Sequence, residues 1–197
     1  MTRLLSVVAI AVATMLVAPC VWAQILYPAN ATIAWYKPLD DSAICVCPKG
    51  DFSQLDVTLI DQFGSPMADY PVTVTFSNSL VKSNSDGSQV FSGTTNAAGY
   101  VRIQITAGVD NTGPLAIQSD VTVRGGVYIV MIYYDLYVLS PDYNASYTVD
   151  SADGSVFASH WHINDPIGMA DCVSNFSRAD PCINSLDGSA FAAHWQH

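Results

Sequence analysis

Five side chains near the C-terminal end carry oxygens at a spacing that suits a hard cation. Asp142, Asn144, Ser146, Asp150 and Asp153 occupy positions 1, 3, 5, 9 and 12 of a twelve-residue stretch. This alternation is the ligand pattern of an EF-hand-type calcium loop. Three carboxylates in one short loop repel one another unless a cation lies between them. The stretch runs into a duplicated segment. Residues 153–161 read DGSVFASHW and residues 187–195 read DGSAFAAHW, so seven of nine positions agree at an offset of 187 − 153 = 34 residues. A fixed period of this length marks a repeated supersecondary unit. The bland alternative is a pair of loops held by Asx turns, with no metal.

The repeats carry other groups with chemical potential. Phe157 and Trp161 are four apart, as are Phe191 and Trp195, so each pair shares one helix face. That spacing predicts a small aromatic core between the repeats; the alternative is a stacking surface for a ligand. His160, His162, His194 and His197 raise the question of a transition metal, but partly buried or surface histidines account for them more simply. Catalysis finds little support. The chain has no Glu for a Glu-based glycosidase pair, no G-x-S-x-G, no H-E-x-x-H and no phosphate loop. The sequence therefore predicts a non-enzymatic protein. Three N-x-S/T triplets, at Asn30, Asn144 and Asn175, read as accidental matches to a glycosylation pattern.

The elements that must position these groups are mostly strands. All 17 acidic residues are Asp, a residue of turns and caps, and the rest of the composition is rich in Val, Thr, Tyr, Gly and Pro. With 197 residues, 50% hydrophobic and 12% charged, the chain has room for a packed core and is not a disordered tail. A formal charge of −10 disfavours nucleic acid and favours cations as partners. Residues 55–60, 72–76, 100–105, 121–123 and 127–139 read as strands between turn clusters such as DQFGSP and NSDG. The last run is long and apolar, with Tyr128, Tyr133, Tyr134 and Tyr137. It reads as a buried strand pair or as a sheet edge that meets something else. Short strands at this spacing suggest a sandwich.

Residues 1–23 have the positive start, apolar run and small-residue exit of a secretory signal, with cleavage expected before Gln24. A membrane anchor and a lipid on Cys20 are the minority readings. Without the signal the charge becomes 6 − 17 = −11, and Cys45, Cys47, Cys172 and Cys182 remain. An even count in an exported chain suggests disulfides, with three connectivities open. Their C-x-C and C-x9-C spacings fit a zinc site less well.

Two stretches carry family resemblances. VTLIDQFGSPMADYPVTVTFS followed by GTTNAAGYVRIQIT resembles the bacterial immunoglobulin-like domains of invasin and adhesin type, over about residues 55–106. That resemblance implies a β-sandwich module serving as spacer, stalk or binding scaffold, and it brings no catalytic residue. The C-terminal segment resembles a dockerin repeat pair, which implies two calcium loops, each followed by a short helix. On that pattern Asp142, Asn144, Asp150 and Asp153 match ligand positions, Thr148 offers its backbone carbonyl at position 7, and Val149 is the inward apolar position 8. Two departures stand out. Ser146 replaces the usual Asp at position 5, and Tyr147 replaces the Gly at position 6, where positive φ is usual. In the second copy Asp180, Asn184 and Asp187 match positions 5, 9 and 12, but the front half does not align. A Cys172–Cys182 bridge would close that irregular loop.

The expected fold class is mostly β: an immunoglobulin-like β-sandwich followed by a small α/loop, dockerin-like module with EF-hand-type loops. The expected organisation is a signal peptide over residues 1–23, the sandwich over 24–140 and the repeat pair over 141–197. The expected cofactor is Ca2+ and the expected location is secreted, extracellular or at the cell surface, with no membrane span in the mature chain. The expected function is an accessory or docking component of an extracellular assembly, with a cohesin-like protein as partner. The alternatives are a self-associating structural subunit of a surface layer or filament, and a carbohydrate-binding accessory.

Overall fold

A computed structural model describes residues 24–36, 42–48, 53–113, 115–161, 174, 176 and 185–195. The expected signal segment, Cys172, Cys182, Asp180, Asn184, His162 and His197 lie outside the described residues.

The chain is mostly β. Its strands are β1 (Thr32–Tyr36), β2 (Ala43–Cys45), β3 (Gln54–Thr58), β4 (Pro71–Phe76), β5 (Val81–Ser83), β6 (Val90–Thr94), β7 (Tyr100–Gln104), β8 (Ala107–Val109), β9 (Ile117–Gly125) and β10 (Tyr128–Leu139). Among the described residues two α-helices follow, α1 (Ser151–Ser159) and α2 (Ser185–Ala192). The strands form a three-stranded sheet ordered β1-β3-β7, a five-stranded sheet ordered β2-β10-β9-β4-β6, and a β5-β8 pair. Alternation does what period-2 patterning requires. In β4, Val72, Val74 and Phe76 are buried while Thr73 and Thr75 are half-buried. In β7, Val101 and Ile103 turn inward, and Arg102 faces out to pair with Asp56 directly across the sheet. Apolar residues of both larger sheets share one core, among them Leu55, Val57, Ile103, Val74, Phe76, Val121 and Val123.

Turn chemistry fixes the connections. Asp61 accepts the backbone N–H groups of Phe63 and Ser65, closing the DQFGSP turn around Gly64. Asn96 does the same for Ala98 and Tyr100. Gly99 has φ of 71°, and a Cβ there would strike the carbonyl oxygen of Leu59, so only glycine fits. Strands β1, β2, β5, β6 and β8 carry no strong periodic signal of their own, and the sequence does not announce them. They form because neighbouring strands offer them partners.

The long run at residues 127–139 is a single strand that changes character along its length. Leu136, Val138 and Leu139 are buried, and Tyr137 to Leu139 pairs in parallel with β2. The other half is an edge. Among the described residues, no strand pairs with it on the side away from β9, and Val127, Tyr128, Ile129, Met131 and Tyr134 are exposed. Among the described residues, no helix is long and apolar enough to cross a membrane.

A candidate cation loop docked on the β body

The loop of residues 142–153 folds around two carboxylates. Asp142 accepts the N–H groups of Ser146 and Tyr147, at 3.0 and 2.9 Å, one on each oxygen. Asp153 accepts those of Tyr143 and Asp150, at 2.8 and 3.0 Å. The first and last candidate ligands, Asp142 and Asp153, therefore tie the loop's two ends together. Both carboxylates are fully buried, at 0% exposure each. Burial pushes Asp142 up to about 6 against the opposing backbone N–H bonds, and the charge of Asp153 adds to the rise. Burial likewise raises Asp153, with the charge of Asp150 contributing. Among the described residues the ion pairs are Lys82–Asp110 and Arg102–Asp56, so no basic side chain neutralises either buried acid.

The remaining candidate ligands serve the loop's own backbone. Asn144 accepts from the Ser146 N–H, and the Ser146 hydroxyl donates to the Thr148 carbonyl at 3.1 Å. Asp150 caps α1 by accepting the Ala152 N–H, and Asp153 completes a reciprocal capping box. Among the described residues, no three acidic, His or Cys side chains converge on one point. Tyr147, at position 6 of the expected pattern, is left-handed with φ of 70°, and Ala145 is also left-handed at 50°. A side chain in that region costs about 1–2 kcal/mol relative to glycine. Val149 points inward and is fully buried. In the second copy, Asp187 is buried in the first turn of α2, as Asp153 is in α1. Its companions Asp180 and Asn184 lie outside the described residues.

Behind the loop lies a second core, made of Tyr143, Val149, Phe157, Phe176 and Phe191 together with Ala43, Cys45 and Leu139 from the sheet. Phe157 and Phe191 stack at 4.7 Å, relating the two helices by their repeated residues. Tyr143 stacks on Phe191 at 6.3 Å. Its place between two candidate ligands gave no hint that it would be the largest fully buried side chain among the described residues. The tryptophans correct the expectation of a four-ring core. Trp161 and Trp195 are 39% and 41% exposed and pack edge-on against Phe157 and Phe191 at the rim. Each reaches across to the other repeat's glycine: a Cβ on Gly154 would lie 3.0 Å from Trp195, and one on Gly188 would lie 3.3 Å from Trp161. The duplicated D-G-S thus leaves room for the partner helix's indole.

His160 and His194 are buried beside these rings. His160 Nδ1 lies 2.8 Å from the Ser174 hydroxyl, which is 2.7 Å from the Tyr143 hydroxyl. Burial lowers the pKa of His160 below the ordinary imidazole value. Among the described residues there is no disulfide. Cys45 and Cys47 are buried and do not bridge one another, and burial raises the Cys45 thiol far above its usual range.

No protein family, curated protein or solved structure matches the chain.

Proposed function

We propose that this chain is an exported, non-catalytic, calcium-binding protein, in which an immunoglobulin-like sandwich carries a dockerin-like repeat pair. It would serve as an accessory or docking component of an extracellular assembly. The observation that carries the reading is the pair of fully buried carboxylates, Asp142 and Asp153, with no basic side chain to neutralise them among the described residues. Buried charge without a counter-ion is costly. An oxygen-only donor set at this spacing suits a hard cation, calcium above all. Each carboxylate has about four acceptor positions, so two N–H bonds apiece leave capacity for a metal. Asp142 and Asp153 would hold the ion, with Asn144, Ser146, Asp150 and the Thr148 carbonyl available from the loop's outer side. Asp187 would play the part of Asp153 in a second loop with Asp180 and Asn184. The sandwich is supported by the core that residues of both larger sheets share.

A second reading, the self-associating structural subunit, is favoured by the exposed apolar edge of β10 between Tyr128 and Tyr134. An unpaired edge is a ready template for another strand. One experiment addresses both. The purified protein is titrated with calcium by calorimetry, and its mass in solution is measured with and without calcium. Heat and a monomeric mass support the docking reading, and calcium-dependent oligomers support the structural one. No heat at millimolar calcium refutes the calcium site.

A further inference from the structure

Strand β8 touches the loop at its most sensitive atom. Gly108 is buried at the centre of β8, opposite Lys82 of β5. Its φ is not in the left-handed region, so backbone freedom does not explain a glycine here. Close approach does. A Cβ on Gly108 would collide with Oδ2 of Asp142 and come within 2.8 Å of the Ala145 Cα. The strand also grips the loop through its backbone. The Val109 N–H donates to the Asp142 carbonyl at 3.0 Å, and the Asn111 N–H donates to the Tyr143 carbonyl at 2.8 Å.

We infer that Gly108 is a positioning residue for the cation loop: its missing side chain seats the Asp142 carboxylate, so that β8 forms one wall of the site and cation binding is coupled to the β body. This rests on the calcium reading above. The loop is then not an autonomous module. Asp142 Oδ2, which accepts the Tyr147 N–H, sits against β8, and any side chain at 108 must push the carboxylate, or the Ala145 turn beside it, off that seat. Conversely, an ion that holds Asp142 also holds the two carbonyls that pin Val109 and Asn111.

The test uses the full chain and calcium chloride. Gly108→Ala should weaken calcium binding by about tenfold or more, the range seen when a group supporting a metal ligand is lost. The control is Gly93→Ala in β6, whose Cβ would meet Val101 Cγ2 at 2.8 Å, a collision with β7 side chains rather than with the loop. It should lower the melting temperature and leave calcium affinity unchanged, which separates positioning from general destabilisation. In the wild type, calcium should slow hydrogen exchange at the Val109 and Asn111 amides, by up to about a hundredfold at calcium a hundred times Kd. This measurement decides the matter if Gly108→Ala does not fold. Wild-type affinity in a folded Gly108→Ala, or unchanged exchange at those amides in calcium-bound protein, overturns the inference and leaves the calcium site standing. A wild type that binds no calcium overturns both.

Discussion

The substitution Asp153→Asn should abolish the calcium response while leaving the calcium-free fold nearly as stable. Asp153 accepts two N–H groups, from Tyr143 and Asp150. A carboxamide keeps one acceptor oxygen and turns an NH2 toward the other donor, so one bond is lost. An unsatisfied buried donor costs about 1–3 kcal/mol. Against that, the substitution removes a buried negative charge whose burial the protein resists. The two effects oppose, so the calcium-free melting temperature should move by only a few degrees. The calcium increment behaves differently. At calcium a hundred times Kd, binding to the folded state alone adds about 2.7 kcal/mol. For a chain of this size each kcal/mol shifts the melting temperature by about 2–4 °C, so the wild type should gain about 5–11 °C. The neutral carboxamide cannot supply two anionic oxygens, and the gain should vanish. Thermal melts near neutral pH, in chelator and in millimolar calcium, read both quantities. An equal calcium shift in wild type and variant would refute the assignment of Asp153, and no shift in the wild type would refute the site.

Other outcomes follow from the same geometry. Phe191→Ala should cost about 3–5 kcal/mol, because it empties the stack between Phe157 and Tyr143, whereas Trp161→Ala opens only the solvent-facing rim and should cost less; denaturant melts of the two variants give the order. His160 is held neutral in the folded state, so its contribution is fully present above the ordinary imidazole pKa and is lost as pH falls through its lowered folded value. Melts across mildly acidic pH should show a loss that His160→Gln removes. Cys45 and Cys47 should resist alkylation in the native protein and react once it is unfolded, while Cys172 and Cys182 should be recovered as a disulfide in the intact mass.

The sequence by itself determined what depends on near neighbours. Oxygen spacing located the loop at residues 142–153, and the usual demand at position 6 foretold the left-handed backbone at Tyr147. Alternation in residues 72–76 foretold which face of β4 is buried, and the DQFGSP cluster marked the turn that Asp61 closes. These are short-range effects of dihedral preference, side-chain period and local hydrogen bonding. Tertiary structure decided the rest. Strand β2 exists by pairing in parallel with the end of β10, and three residues cannot announce a partner more than ninety positions away. The near-identical repeats pointed to an aromatic core but could not say that the phenylalanines would take the centre and the tryptophans the rim. The centre is shared with Tyr143 and with Ala43, Cys45 and Leu139 of the sheet, so the tail does not build its core alone. Gly108 illustrates the limit most sharply. In sequence it is one glycine in a short apolar stretch, and only the approach of Asp142 from 34 residues downstream (142 − 108) gives its missing side chain a reason.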